Sequence, residues 1–230
     1  MELAIETATI KEILKENEVY NLYHANTVGT AVTFLKVGGL LSRGEVRDRR
    51  LFQTYQQTDC TDEQLGVFND IFFDTVDVHE RSKNICYYGP VMFVYEVDVL
   101  DTVNDVKVTK TNPKYWNENL MEEDKYFVDS CDLNKNLAPG NFGQHVTIHN
   151  YHDVLSFRPY IRTIILDNPG EKWNSYFDAA RERIGSLIQE KDLGINLSIR
   201  DCQEGCRCRE IYNGYRREAI RFKFGIIGNL

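Results

Sequence analysis

The chain of 230 residues is 42% hydrophobic and 27% charged, enough apolar mass for one sizeable core in an ordinary globular composition. No apolar run approaches the roughly 18 residues of a membrane-spanning helix, so no membrane span is expected. A formal net charge of −8 disfavours nonspecific nucleic-acid binding, which needs clustered Lys and Arg.

Local basic stretches remain, from Arg43 to Arg50 and from Arg207 to Lys223, and each is either a basic cleft or a solvated face. Met1 to Glu6 is acidic and lacks an apolar core, so no secretory signal is expected there. The six cysteines therefore read as reduced thiols of a cytoplasmic protein.

Taken in order, residues 3–15 put Ile10, Ile13 and Leu14 on one side of a short helix. Tyr20, Leu22 and His24 then alternate onto one face of a strand. Thr27 can cap a helix in which Val28, Ala31, Val32 and Leu35 share a face, and Gly38-Gly39 can end it. A histidine at that strand's tip either presents its imidazole to a ligand or is half buried and bonds to backbone. Leu41 to Arg50, with four arginines in ten residues, opens a long polar stretch to Gly66 that reads as a functional loop with broken helix. An arginine there suits a pyrophosphate, because its planar fork binds phosphate oxygens in pairs.

Phe68 to Asp74 reads as a short aromatic strand and Asp77 to Asn84 as a charged loop. Val91 to Leu100 is the strongest strand signal, and residues 101–111 can continue it as a hairpin. Gln144 to His149 and Tyr160 to Leu166 read as further strands. Trp173 to Lys191 is an amphipathic helix, Ile195 to Ile199 an alternating strand, and the tail a cysteine-rich loop with a last strand over Ala219 to Ile227. No repeat or linker interrupts the chain, so one α+β domain over residues 1–230 is expected.

The sequence offers two candidate metal sites. His145 and His149 could share zinc on a helix. The β-branched residues between them favour a strand, where four residues cover about 13 Å and the two imidazoles cannot share an ion. Cys202, Cys206 and Cys208 have the spacing Cys-x3-Cys-x-Cys with no fourth ligand nearby, so free thiols are expected unless Cys60, Cys86 or Cys131 reaches them. No metal is therefore expected. Walker loops, G-x-G-x-x-G and G-x-S-x-G are absent from the sequence.

Tyr23-His24, a helix, and then Gly39-Leu40-Leu41-Ser42 resembles the opening of the ADP-ribosyltransferase superfamily, most nearly its DarT-like branch. The order of later segments is similar too. It runs from Arg47-Asp48-Arg49-Arg50 through Asn69 to Phe73 and Tyr88-Gly89-Pro90-Val91-Met92 to the strand at Gln144 to Ile148. The resemblance implies a split β-sheet core with flanking helices, NAD as substrate, and transfer of ADP-ribose to a DNA or RNA base. It also implies a toxin or antiphage role with an antitoxin partner. By the same resemblance His24 and Thr27 hold the ribose and nicotinamide side, Arg50 or its neighbours Arg49 and Arg43 the pyrophosphate, and Tyr88 or Phe73 stacks on nicotinamide. One departure stands out. The late strand carries Gln144 and His145 where the family has its catalytic glutamate, so either His145 takes over proton transfer or the chain is a non-catalytic NAD or nucleic-acid binding module. A metal-dependent nuclease using Asp70 with Asp74, or Glu96 with Asp98, is the third possibility.

Overall fold

A computed structural model describes residues 5–202 and 205–225. Helix α1 (Thr7–Glu16) buries Ile10, Ile13 and Leu14 on one face. Strand β1 (Asn21–Asn26) then feeds α2 (Val28–Val37) through Thr27, whose side chain accepts the amide of Thr30. The helix stops at Gly38, which takes the left-handed conformation at φ 83°. Strand β2 (Gly39–Leu40) follows, and then the long polar stretch. That stretch carries the broken helix expected of it in two short pieces. It contains α3 (Arg43–Asp48), capped by Ser42, and α4 (Asp59–Gln64), which buries no residue.

Next come β3 (Ile71–Phe73), α5 (Val78–Ser82), β4 (Val91–Glu96) and β5 (Val106–Val108). They are followed by α6 (Glu122–Lys125), α7 (Ser130–Asn136), β6 (Val146–Ile148), β7 (Leu155–Ser156) and β8 (Ile161–Asp167). The long helix α8 (Asn174–Glu190), β9 (Asn196–Arg200), α9 (Cys208–Gly214) and α10 (Arg217–Phe224) complete the order.

The α+β expectation is met, and the core is divided between sheets. One runs β1-β4-β8-β9, antiparallel except for the parallel β8–β9 pair. Another runs β3-β6-β5, all antiparallel, and β2 pairs separately with β7. A two-residue bridge joins the larger sheets. Tyr23 N donates to Asp74 O at 3.0 Å, and Asp74 N donates back to Tyr23 O at 2.9 Å.

Strand β4 is central and buries five consecutive residues, Val91 to Tyr95, which is why it reads as an unbroken apolar run. Phe93 stacks on Phe157 with ring centroids 5.5 Å apart and meets Phe34 of α2 edge-on. Helix α8 packs on the same α2, burying Phe177, Ala180, Ile184, Leu187 and Ile188.

Four expectations are corrected. The strand signal of Val91 to Leu100 ends at Glu96, and Val97–Thr102 is a 3₁₀ turn that buries Val97, Val99 and Leu100. Lys15 and Lys11 of α1 hold the acidic residues of that turn, Asp98 and Asp101, each at 2.5 Å. The hairpin over 101–111 does not form, because β5 crosses to pair with β6. Residues 217–224 are helical, with Ile220, Lys223 and Phe224 buried at helical spacing. Ile220, Phe222 and Phe224 mimic alternation, but Phe222 is exposed, so burial separates the two periods. Residues 226 and 227 lie outside the described residues. The expected loop at Asp77 to Asn84 contains α5, nucleated by Asp77 accepting the amides of His79 and Glu80. Among the described residues no helix is long and apolar enough to cross a membrane.

Phe93 is fully buried at the stacked centre of this core. Phe93→Ala is expected to lower unfolding free energy by about 3–5 kcal/mol, read from the urea midpoint at unchanged m-value.

Candidate active site

The bridge between Tyr23 and Asp74 lays the end of β1 beside the end of β3. The side chains that follow open onto one cleft of about 940 Å³, part of it solvent, lined by His24, Asn26, Phe72, Asp74, Arg43, Tyr88, Asn112 and His145 among others.

His24 is held at both ring nitrogens. Its Nδ1 lies 2.8 Å from Phe72 O, and its Nε2 lies 3.1 Å from Asn26 Nδ2. A carbonyl can only accept, so Nδ1 carries the proton and Nε2 accepts from the amide. Burial lowers the His24 pKa, which keeps this tautomer neutral. Of the two alternatives drawn from sequence, both are present in one residue: His24 bonds to backbone and also lines the cleft.

His145 repeats the arrangement. Its Nδ1 lies 3.4 Å from Asp74 Oδ1 and its Nε2 lies 3.3 Å from Asn112 Nδ2. The Phe72 ring meets His145 edge-on at 6.1 Å. Two histidine–asparagine units therefore flank the end of β3. In each, an oxygen from β3 or the residue after it orients the imidazole.

The arginines divide by their place on α3. Arg43, in its first turn, lines the cleft, with Nη2 2.6 Å from Asp59 Oδ2 and 3.1 Å from Thr54 O. Its Nε also meets Asp59 Oδ1, so the guanidinium is engaged in the bidentate manner. Arg49 and Arg50 stand at the far end of that six-residue helix and do not line the cleft. Arg49 pairs with Glu45 at 2.8 Å, and Arg50 is exposed at φ 54°.

Strand parity separates the phenylalanines. Phe72 lines the cleft, while Phe73 faces the core and packs on Tyr95. Thr27 is buried and absent from the lining, and its hydroxyl lies 2.7 Å from Thr54 Oγ1. Tyr88 is half exposed on the cleft. Gly89 beside it passes so near the backbone of Asn26 and Thr27 that a Cβ would collide with both.

Sequence reasoning gave Asp74 only a magnesium role and did not select Asn26, Asn112 or Asp62, all of which line the cleft. The signal for Asp74 was its place at the end of an aromatic strand; the asparagines had none. Burial raises the pKa of Asp62 and of Asp70. Asp70 accepts from Asn150 N at 2.8 Å and lies against His149 Nδ1 at 3.0 Å. That carboxylate raises the His149 pKa. His152 turns away to Glu45 at 3.3 Å, so His145, His149 and His152 do not converge.

No family model matches the chain, and no curated protein matches it in sequence. Among solved structures it is similar to Thermus sp. 2.9 DarT in complex with ADP-ribosylated ssDNA. The identity is 9% and the TM-score 0.49, over 80% of this chain and 95% of that one.

His149 binds its proton more tightly folded than unfolded, so its contribution is full below about pH 6.5 and is lost as pH rises through the higher folded value. His149→Asn is expected to flatten the fall in stability on that alkaline side, measured as urea midpoints across the range.

Proposed function

We propose that this chain transfers ADP-ribose from NAD to a base of single-stranded nucleic acid. The observation that carries the reading is the pair of oriented imidazoles, His24 and His145 with Asp74, opening onto one cleft beside Arg43. Breaking the nicotinamide–ribose bond builds positive charge on the ribose, and a carboxylate beside it stabilises that charge. Asp74 supplies the carboxylate that the strand at 144–148 lacks. His145, oriented by Asp74, is within reach to take the acceptor's proton. His24 and Asn26 hold the ribose hydroxyls, and Tyr88 or Phe72 covers the nicotinamide ring. Arg43 takes the pyrophosphate in place of Asp59. Arg49 and Arg50 have no part in this scheme.

The nucleic-acid acceptor is supported by the side chains next to the lining. Lys114 lines the cleft, and its ammonium lies 4.6 Å from the ring centre of exposed Tyr115. Asn112 bonds the carbonyl of Phe142, another exposed aromatic, at 3.0 Å. Exposed aromatics with a cation among them form the kind of surface on which unpaired bases stack. A second reading, a non-catalytic binding module, is favoured by one observation: the Arg43 guanidinium is already engaged by Asp59.

Nicotinamide release from NAD, with single-stranded DNA or RNA as acceptor, decides between them. Acceptor-dependent release is expected to fall by about 10²- to 10⁴-fold in His145→Ala and Asp74→Asn. Arg43→Ala should raise KM for NAD, and Arg50→Ala should change nothing. NAD binding without release would select the module, and neither binding nor release would overturn the reading.

A further inference from the structure

Away from the cleft, the chain after β9 meets α5, and four side chains with metal-binding atoms come together. His79 of α5, Cys202, Cys206 and Cys208 place one ligand atom each within 4.8 Å of all the others. His79 Nε2 lies 3.5 Å from Cys202 Sγ and 3.3 Å from Cys206 Sγ. Cys206 Sγ lies 2.9 Å from Cys208 Sγ. In a tetrahedral site with zinc–sulfur bonds of about 2.3 Å and zinc–nitrogen bonds of about 2.0 Å, ligand atoms sit about 3.5–3.8 Å apart. The sequence offered Cys60, Cys86 or Cys131 as the possible fourth partner. The partner is a histidine some 120 residues earlier in the chain.

The support behind the histidine is that of a metal ligand. His79 and Cys208 are buried. His79 Nδ1 lies 3.3 Å from Asp167 Oδ2, and that carboxylate is buried too. A carboxylate accepts, so Nδ1 carries the proton and the Nε2 lone pair points at the sulfurs. A carboxylate behind a ligating imidazole fixes the tautomer of zinc-bound histidines in this way. Asp167 is held in turn by Arg200 Nη1 at 3.2 Å. That guanidinium also offsets the negative charge that three thiolates around a divalent ion would leave.

A disulfide explains the cluster less well. Sγ of Cys202 and Sγ of Cys208 are in contact, but their Cα atoms are 7.2 Å apart, beyond the roughly 4.4–6.8 Å that a disulfide spans. Such a bond would leave Cys206 outside it, with its thiol against the His79 lone pair at 3.3 Å.

We propose that His79, Cys202, Cys206 and Cys208 bind one zinc ion in a closed, structural site. All four positions are filled by protein, so none is open for substrate or water. The ion fastens the C-terminal segment to α5, a five-residue helix whose buried residue is His79. The same segment holds the stretch after α5 through Arg207 N to Lys83 O at 2.9 Å and Lys223 Nζ to Tyr87 O at 2.7 Å. That stretch leads directly into Tyr88 at the cleft.

The test uses the full chain, purified without chelator and analysed for metal by mass spectrometry. About one zinc per chain is expected. Cobalt(II) exchanged into it should give the visible bands of a tetrahedral ion and thiolate charge-transfer absorption. Cys206→Ala should lose the metal, whereas Cys131→Ala, at an exposed thiol elsewhere, should keep it. His79→Cys guards against a folding failure: it should retain cobalt with stronger thiolate absorption. Wild-type protein that holds no zinc and gives no cobalt–thiolate band would overturn the site. So would a Cys202–Cys208 disulfide recovered from an unreduced digest.

Discussion

Two backbone hydrogen bonds, exchanged between Tyr23 and Asp74, hold the two main sheets edge to edge, and the cleft exists because of them. They bring β1 alongside β3 without merging the sheets, so the ends of both strands open onto the same space. The His24 bond to Phe72 O is a third tie along the same seam. It belongs equally to the fold and to the site, because it aligns the strands and fixes the imidazole. A polar bond sheltered from water is worth keeping satisfied, and here both nitrogens of the ring are.

The site is built by a repeated local solution. Each histidine receives an oxygen at Nδ1 from the β3 chain and an asparagine amide at Nε2. The result is a pair of oriented imidazoles with the carboxylate of Asp74 behind one of them. Acidic and amide side chains outnumber cations in the lining, which follows from the chain's negative balance. Recognition in such a cleft falls to shape, stacking and hydrogen bonding more than to bulk charge.

The long elements were legible in the sequence because one physical signal dominated each. β4 is apolar throughout since both its faces are covered, α8 carries an apolar stripe, and β1 and α2 are separated by a capping threonine and closed by Gly38. Short elements were legible only as broken helix, without bounds, or not at all. α3, α4 and α5 are five or six residues long, too few for a period to show, and they are set by caps such as Ser42 and Asp77. The α10 helix was misread because its alternating aromatic residues satisfy either period until burial is known. Within the site, His24, Arg43, Tyr88 and His145 line the cleft, whereas Arg50, Arg49, Phe73 and Thr27 do not. A strand's parity, a helix's length or a capping role sets those four apart from the lining, and each distinction depends on three-dimensional direction. Of the cluster at His79 the sequence showed only the three cysteines, because the histidine lies far from them in the chain and α5 was read as a loop.

The Arg43–Asp59 pair has a consequence for selectivity. The guanidinium arrives with its counter-anion already in place, supplied by a helix that buries none of its residues. A small anion such as phosphate gains little by displacing Asp59, since it replaces one set of oxygens with another. A ligand that also brings a flat ring and ribose hydroxyls recovers the exchange through the aromatic and amide lining. In the proposed reading the resting ion pair works as a filter, giving up affinity for simple anions and leaving the cleft to larger, mixed ones.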